Sequence, residues 1–370
     1  MAGIYIHIPF CKSRCTYCGF YSTTRHELRQ RYVDMLCREL MLRHQYIKER
    51  ARTIYIGGGT PSQLSPAQLQ QLFKALDTTA AKEITIECNP DDITADYTAA
   101  LSQLPINRIS MGAQTFSDER LHFLHRRHTA LQVTQAVKLL RDAGIQNISI
   151  DLMYGFPNET LDDWHRDIDQ ALALDVEHLS AYSLMYEEGT PLYRLLEQGI
   201  INEIDEELSL QMYSDLIDRL VSANYEHYEI SNFAKKREEG SFRSLHNSNY
   251  WNQTPYLGIG AAAHSFDGQS RQWNTNDIDA YIKGIEAGLP AVEREELDAD
   301  TRYNDLVMTA LRTCEGLDLS LLSDGQRSYC LSQAQRFLSD GQLRLADNRL
   351  VLTRRGLFVS NMVMSDLMKV

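Results

Sequence analysis

The sequence lacks any long hydrophobic run: none of its 370 residues lies in a stretch near the ~18 consecutive apolar residues that a membrane-spanning helix needs. Cysteine is scarce, since seven residues are too few to build a disulfide scaffold. Positive charge is also in deficit, because 37 Lys and Arg residues face 50 Asp and Glu, leaving a net charge of −13. Nucleic-acid-binding domains are usually basic. We therefore expect no membrane span, no disulfide framework and no nucleic-acid partner.

The remaining composition is that of a globular protein. Hydrophobic residues make up 43% of the chain and charged residues 24%, which argues against disorder or a coiled coil. The length suits two or three domains, since one domain commonly has ~100–200 residues. The first ten residues, MAGIYIHIPF, carry no basic segment, so we expect no secretory signal. Clustered cysteines near the start indicate a metal site in a reducing compartment, and the cytoplasm is the expected location.

Short strands alternate with amphipathic helices up to about Ser183. Each strand has apolar residues at every second position, as a half-buried strand should. These apolar positions are Ile4, Ile6 and Ile8; Ile54 and Ile56; Ile84 and Ile86; Ile109 and Met111; Ile148, Ile150 and Leu152; and Leu179 and Ala181. One intervening helix is bounded by Thr129 as a possible N-cap and by Gly144. The alternation predicts an α/β fold with about six parallel βαβ units.

The other face of these strands is polar or aromatic. Its residues are Tyr5, His7, Glu87, Ser110, Asp151 and Tyr182. A closed eight-stranded barrel fills its interior with branched aliphatic side chains. A polar interior instead indicates a wider, incomplete barrel with a ligand inside. A doubly wound open sheet with polar strand ends at a cleft is the alternative, and the pattern alone does not separate the two.

The pattern changes from about Pro191. Residues 203–223 predict a helix, Tyr225–Ile230 a strand, and 231–275 a loop-rich segment. From about Asp298 the order is helix, helix, hairpin, helix, with a turn at Asp347-Asn348, which resembles a winged helix. We interpret that end as a structural or substrate-covering domain. The expected domains are 1–190, a barrel; 191–297, a linking or substrate-covering region; and 298–370, a winged-helix-like domain.

Three cysteines, Cys11, Cys15 and Cys18, form a C-x3-C-x2-C motif directly after the first strand. Thiolates bind soft metals, and one loop can present several sulfurs to one centre. A structural zinc site normally needs four ligands, and His7 is a poor fourth candidate because it lies in the strand. An iron–sulfur cluster held by three thiolates keeps one iron open for a substrate. The cluster is favoured over zinc.

The segment IHIPFCKSRCTYCGF resembles the signature of radical S-adenosylmethionine (SAM) enzymes. The resemblance implies a [4Fe-4S] cluster whose open iron is chelated by the methionine amino and carboxylate groups of SAM. It also implies a partial (β/α)6 TIM-like barrel, which agrees with the polar interior. The four remaining cysteines are scattered, and we expect them to be buried small hydrophobic residues.

Further motifs match SAM-contacting positions of that family. After the second strand, Gly57-Gly58-Gly59-Thr60-Pro61 lets the backbone approach a ligand closely, although a plain tight turn is the alternative. The resemblance implies contacts to SAM from Gly58, Gly59, Thr60, Glu87, Gln114, Arg126 and Asp151, with Tyr5 and Tyr17 nearby. Glu87, Gln114 and Asp151 lie at or just past strand ends, where parallel α/β folds bind ligands. An arginine suits the methionine carboxylate by bidentate pairing, while Gln114 and Asp151 suit ribose hydroxyls. A lone acid there is more often a helix cap, and the tyrosines could equally be packing residues.

The segments HNSNYW and YLGIGAAAHSF resemble the C-terminal half of oxygen-independent coproporphyrinogen III oxidases and their heme-chaperone relatives. Two departures favour the chaperone branch: Phe20 stands where the oxidases have a further cysteine, and only ten residues precede Cys11. The resemblance makes His246, Tyr250 and Trp251 heme candidates. A core or capping role for His246 is equally open. GIGAAA fits a dinucleotide fingerprint, but we discount it because no strand and no βαβ unit are expected there.

The resemblance implies a heme chaperone that holds a [4Fe-4S] cluster and SAM, binds heme and passes it to an unknown acceptor protein. The alternative is an enzyme, coproporphyrinogen III dehydrogenase, which would decarboxylate propionate side chains of a porphyrinogen to vinyl groups. A zinc module with a DNA-reading winged helix fits least. Either of the first two requires an electron donor and iron–sulfur assembly proteins as partners.

Overall fold

The computed structural model describes residues 2–290 and 292–369. A twelve-stranded sheet forms its centre. Its first six strands are parallel and pair in chain order. They are β1 (Ala2–Ile8), β2 (Ala51–Gly58), β3 (Glu83–Cys88), β4 (Arg108–Gln114), β5 (Asn147–Tyr154) and β6 (His178–Ser183). All six predicted strands are therefore confirmed.

Helices connect these strands and cover their aliphatic face. They are α1 (Arg29–Leu42), α2 (Pro66–Ala75), α3 (Ala95–Leu101), α4 (Asp118–Phe123), α5 (Ala130–Asp142) and α6 (Leu161–Ala173). Short 3-10 turns lie at His26–Leu28, Pro61–Gln63, Pro90–Asp92 and Leu319–Leu321. The predicted boundaries of α5 are confirmed: Thr129 forms a capping box with Gln132, and Gly144 follows the helix with φ +87°. The strand side chains on this face, such as Ile6, Ile56 and Ile109, are fully buried against the helices.

The strand order decides between the two architectures that the sequence left open. A doubly wound sheet reverses its order at a switch point, whereas strands β1 to β6 follow one another without reversal. β1 and β6 do not pair with each other, so the barrel stays incomplete. The polar strand faces consequently enclose an open lumen, as predicted.

Residues after the sixth strand extend the same sheet at both edges. The added strands are β7 (Tyr225–Glu229), β8 (Asn232–Lys235), β9 (Tyr256–Ile259), β10 (His264–Phe266), β11 (Ser270–Asn274) and β12 (Val292–Glu296). β8 pairs with β6 in antiparallel fashion, and β9 pairs with β1 in parallel. The accompanying helices are α7 (Pro191–Glu197), α8 (Glu206–Ser222), α9 (Leu245–Trp251) and α10 (Ile278–Glu286).

The prediction of a loop-rich segment over 231–275 is wrong. These strands have three to five residues, too few to show a period, and they are stabilised by pairing with the barrel edges. Gly258 of the GIGAAA segment lies within β9, so the expectation that no strand is present there is also wrong. The predictions of a helix over 203–223 and a strand from Tyr225 are confirmed by α8 and β7.

The C-terminal region builds a smaller unit with its own buried core, centred on Tyr303, Cys330 and Phe337. Its elements are α11 (Ala299–Ala310), β13 (Leu317–Asp318), α12 (Asp324–Ser339), β14 (Leu343–Ala346), β15 (Arg349–Leu352), α13 (Arg354–Leu357) and α14 (Ser360–Leu367). The predicted hairpin turn is confirmed, since Asp347 and Asn348 both have positive φ, as a type I′ turn requires. No helix among the described residues combines the length and apolarity needed to cross a bilayer.

Candidate functional site

A cavity of about 260 Å³ opens at the carboxyl ends of the parallel strands. The side of the cavity formed by the first loop carries Cys11, Cys15 and Cys18. Every other residue expected to contact SAM also lines it: Tyr5, Tyr17, Gly58, Gly59, Thr60, Glu87, Gln114, Arg126 and Asp151. Parallel strands end at one edge, so residues far apart in sequence meet there.

The three cysteines have free, half-buried thiols. The Thr60 hydroxyl donates to Cys11 Sγ at 3.4 Å, and Arg126 Nη1 lies 3.6 Å from Cys15 Sγ. Burial raises the pKa of the Cys11 and Cys18 thiols. Among the described residues, no three His, Cys, Asp or Glu side chains converge on one point that would suit a single ion. A cubane cluster needs a different arrangement, because each thiolate binds a separate iron. Three thiols around one cavity fit that arrangement.

The glycine segment lies directly against the cysteine loop. The amide of Gly59 donates to the Ile8 carbonyl at 2.9 Å, which holds the two loops together. A Cβ at Gly59 would lie 2.8 Å from the Pro9 oxygen and 2.9 Å from Cys11 Sγ. Gly58 has φ +116°, and a Cβ there would meet the His7 ring at 2.7 Å. The absence of side chains therefore leaves this backbone accessible to a ligand beside the thiols.

Two carboxylates project into the lumen from β3 and β5, on either side of β4. Glu87 accepts hydrogen bonds from the Tyr55 hydroxyl at 2.7 Å and from the Gly58 amide at 3.0 Å. Burial raises the pKa of Glu87 to about 7 and that of Asp151 to about 6. A hydrogen bond from Ser180 opposes the shift at Asp151. Both carboxyl groups therefore titrate near neutral pH. Their anionic forms would be stabilised by hydrogen-bond donors or by positive charge of a ligand.

A bulge at the end of β4 positions Gln114 at the site, and Arg126 hydrogen-bonds to the same strand end. The register shifts between Gly112 and Gln114, and Gln114 has φ +67°. Arg126 Nη2 donates to the Gly112 carbonyl and to Asn89 Oδ1, both at 2.7 Å. Its Nε is buried and has no hydrogen-bond partner among the described residues. Asn89 was not predicted as a site residue, although it directly follows β3, the kind of position that identified the neighbouring Glu87.

The lumen contains most, but not all, of the side chains expected there. Tyr5, Glu87, Ser110 and Asp151 line the cavity. His7 is buried behind Gly58 and shares hydrogen bonds with the Tyr5 hydroxyl and the Tyr21 carbonyl. Tyr182 lies on β6, the last of the six parallel strands, and is 40% exposed.

The HNSNYW segment forms α9, at the opposite end of the barrel from the cysteines. Its His246 packs against Gly3 and Thr53, which begin β1 and β2. His246 Nδ1 lies 2.9 Å from the Thr53 hydroxyl, and Nε2 lies 2.9 Å from the Tyr250 hydroxyl. The ring is 1% exposed, and burial lowers its pKa to about 3. Both ring nitrogens are thus engaged as in a core histidine, and ligation of heme iron by His246 stays a prediction.

Trp251, at the end of the same helix, faces a different surface. It lines a groove of about 890 Å³ between α9 and the C-terminal unit. The Arg312 guanidinium lies 5.0 Å from its ring centre, and the indole Nε1 is buried without a hydrogen-bond partner among the described residues. The structure therefore does not bring Trp251 together with the cysteine cavity.

The scattered cysteines divide into two kinds. Cys88 and Cys330 are buried and Cys37 is half-buried, in keeping with packing roles. The expectation is wrong for Cys314, which is exposed and lies beside Arg243 and Glu315. Its position in the connection after α11 explains the exposure.

Comparison with known families matches two separate parts of the chain. Residues 5–171 match the model of the Radical SAM superfamily, and residues 297–359 match that of the HemN C-terminal domain. The solved structure of coproporphyrinogen III oxidase (HemN) from Escherichia coli covers 100% of this chain and 90% of its own, with a TM-score of 0.84 and 22% identity. At that identity the likeness shows the fold, which confirms the radical SAM barrel.

Curated relatives are more similar in sequence. The heme chaperone HemW of Bacillus subtilis is 32% identical over 98% of both chains. HemW of Mycobacterium tuberculosis (strain H37Rv) is 32% identical over 99% of this chain and 94% of its own. HemW of Escherichia coli is 36% identical over 71% of this chain and 69% of its own. The chain therefore belongs to the radical SAM superfamily and, within it, to the family of the HemW proteins.

Proposed function

We propose that this protein is a radical SAM heme chaperone, which binds a [4Fe-4S] cluster, SAM and heme and transfers heme to an acceptor protein. The observation that carries the proposal is the single cavity in which three free thiols face nine residues of the expected SAM site. The heme part of the proposal is supported by the similarity to the HemW heme chaperones. The protein would act in the cytoplasm, together with an electron donor and iron–sulfur assembly proteins.

Cys11, Cys15 and Cys18 would hold the cluster as thiolates. A bound cluster supplies one iron with an open coordination position. Thr60, through its hydroxyl on Cys11 Sγ, and Arg126, beside Cys15 Sγ, would stabilise the negative charge of the sulfurs. The close contact between Gly59 and Cys11 would keep the protein backbone that contacts SAM next to the iron.

The polar lumen would orient SAM by its functional groups. Arg126 carries the positive charge that a methionine carboxylate requires, and its Nε makes no hydrogen bond within the described residues. Gly58 and Gly59 expose backbone groups for the methionine amino group. Gln114 and Asp151 would accept hydrogen bonds from the ribose hydroxyls, and Glu87 from a further donor of SAM. Burial of these groups strengthens each contact.

Heme would bind in the groove beside Trp251, apart from the cluster cavity. The groove combines that indole with apolar side chains of the C-terminal unit, including Leu306 and Leu321. Leu321 is 65% exposed although it is large and apolar. His246 could reach heme iron only after its bonds to Thr53 and Tyr250 are broken. Stacking on Trp251 is therefore the heme contact that requires the least rearrangement.

The test is an anaerobic heme titration of the cluster-loaded protein, followed by the Soret absorbance. We expect saturation near one heme per chain and weaker binding in Trp251→Phe, with Trp273→Phe as the matched control. His246→Ala separates iron ligation from packing, since a ligand change alters the Soret position. Absence of saturable binding, together with conversion of coproporphyrinogen to protoporphyrinogen, would favour the dehydrogenase instead.

A further inference from the structure

Arg108, the first residue of β4, is a buried charge without an ion pair. It is 1% exposed, and its Nε has no hydrogen-bond partner among the described residues. No carboxylate of the described residues forms a salt bridge with it. A buried guanidinium normally requires a paired anion or several acceptors, because its desolvation is costly. Its position therefore calls for a functional explanation.

The sheet register places Arg108 on the lumen face, one step below the SAM cavity. Its neighbours across the sheet are Thr85 on β3 and Asn147 on β5. The side-chain oxygens of both neighbours are also buried without partners among the described residues. Two residues further along β4, Ser110 lies opposite Glu87 and lines the cavity. The polar floor of the lumen thus continues directly into the walls of the cofactor site.

The charge of Arg108 acts on both lumen carboxylates. It lowers the pKa of Glu87 and of Asp151, opposing their burial. The Tyr55 hydroxyl and the Gly58 amide donate to Glu87, and the charge of Asp151 opposes its ionisation. The hydroxyls of Tyr5 and Tyr250 also interact electrostatically with Glu87. Asp151 faces the Ser180 hydroxyl, Arg126 and Glu87, together with the hydroxyls of Tyr17 and Tyr182.

Further groups on the lumen floor do not neutralise Arg108. The nearby imidazoles of His178 and His246 are neutral, because burial and the charge of Arg108 lower the pKa of each. Glu83 uses its two carboxylate oxygens to accept hydrogen bonds from the Leu245 and His246 amides at the start of α9, and within the described residues it forms no salt bridge with Arg108. The positive charge of Arg108 therefore remains available to the carboxylates above it.

We propose that Arg108 is a positioning residue of the SAM site, whose buried guanidinium favours the anionic forms of Glu87 and Asp151 as acceptors for the hydrogen-bond donors of SAM. The inference rests on the proposed function, because it takes SAM as the ligand of this cavity. It assigns a role to a residue that does not itself line the cavity.

The experiment measures the dissociation constant of SAM for the cluster-loaded protein by anaerobic calorimetry between pH 6 and 9. A carboxylate loses its charge as the pH falls through its pKa, so wild-type binding should weaken toward pH 6. Arg108→Met removes the charge at similar length. We expect its binding to weaken already at higher pH, with a midpoint raised by about one unit and about tenfold weaker binding at pH 7. Arg108→Lys, which keeps the charge, should restore most of the wild-type profile.

Arg355→Met, an exposed arginine of the C-terminal unit, makes the same change in net charge and should leave the profile unchanged. A wild-type protein that binds no SAM would overturn the proposed function itself. Wild-type binding with an identical pH profile in Arg108→Met would overturn the role of Arg108 alone. So would loss of the fold in Arg108→Met, measured by circular dichroism, because the guanidinium would then be structural.

Discussion

At the scale of single residues, the candidate cluster site depends on what is missing at Gly59. A Cβ on Gly59 would lie 2.8 Å from the Pro9 carbonyl and 2.9 Å from Cys11 Sγ, which is closer than a Cβ tolerates. The contact is with backbone atoms and with a proposed cluster ligand, so neither neighbour can move away without displacing the cysteine loop. This glycine is thus required by close approach, since no positive φ is recorded for it.

We expect Gly59→Ala to weaken cluster binding about tenfold, because a methyl group forced into a packed site costs about 1–3 kcal/mol. The measurement is iron and sulfide per chain after anaerobic reconstitution at limiting iron. Gly325→Ala is the matched control, since a Cβ there meets nothing within 4 Å. Full cluster content in Gly59→Ala would show that the cysteine loop is free to shift.

At the scale of an element, the position of helix α9 is fixed by a carboxylate of strand β3. Glu83, at the start of β3, accepts the amides of Leu245 and His246 at 2.9 and 2.8 Å. A negative charge at a helix N-terminus is stabilising, both by hydrogen bonding and through the helix dipole. Glu83 therefore fixes the helix that carries His246 and Trp251 against the amino ends of the barrel strands.

Replacement Glu83→Gln should lower the free energy of unfolding by about 1–3 kcal/mol, because one buried amide loses its charged acceptor. Urea denaturation of the protein measures the change. Exposed Glu119, in the first turn of α4, provides the control Glu119→Gln, whose effect should stay within about 0.5 kcal/mol. Equal stabilities of the two variants would contradict the capping role of Glu83.

At the scale of the whole molecule, Arg312 joins three parts. It donates to Glu229 of β7 at 3.1 and 2.8 Å, and its guanidinium lies over Trp251 of α9. The adjacent backbone continues the connection, since the Ile230 amide donates to the Arg312 carbonyl. Glu229 is buried, so its charge depends on this arginine for compensation.

Arg312→Met should destabilise the protein by about 3 kcal/mol, because it leaves the Glu229 carboxylate buried without its cation. In this variant we also expect amide hydrogen exchange to become faster than in the wild type in α11 and around the Trp251 groove, and to change less in the barrel strands. Arg344→Met, an exposed arginine of β14, is the control. Unchanged exchange at the groove in Arg312→Met would show that the C-terminal unit is held by other contacts.

The sequence alone determined the six strands of the parallel set and the C-terminal hairpin turn, because a two-residue period, helix caps and turn residues act within a few neighbours. The residues around the cavity were expected from the family resemblance, while the choice of an incomplete barrel over an open sheet required the strand order. The short strands β8 to β11 could not be predicted, because their stability comes from pairing with the barrel edges.

Tertiary structure alone decided three matters of function. It separated His246 from the cysteine cavity by placing α9 at the amino ends of the strands. It brought Asn89 to Arg126 and left Arg108 unpaired beneath the carboxylates. Each depends on contacts between residues far apart in sequence, for which hydrophobic pattern and spacing carry no information. Burial and charge compensation, which set the pKa values of Glu87 and Asp151, exist only once the chain has folded.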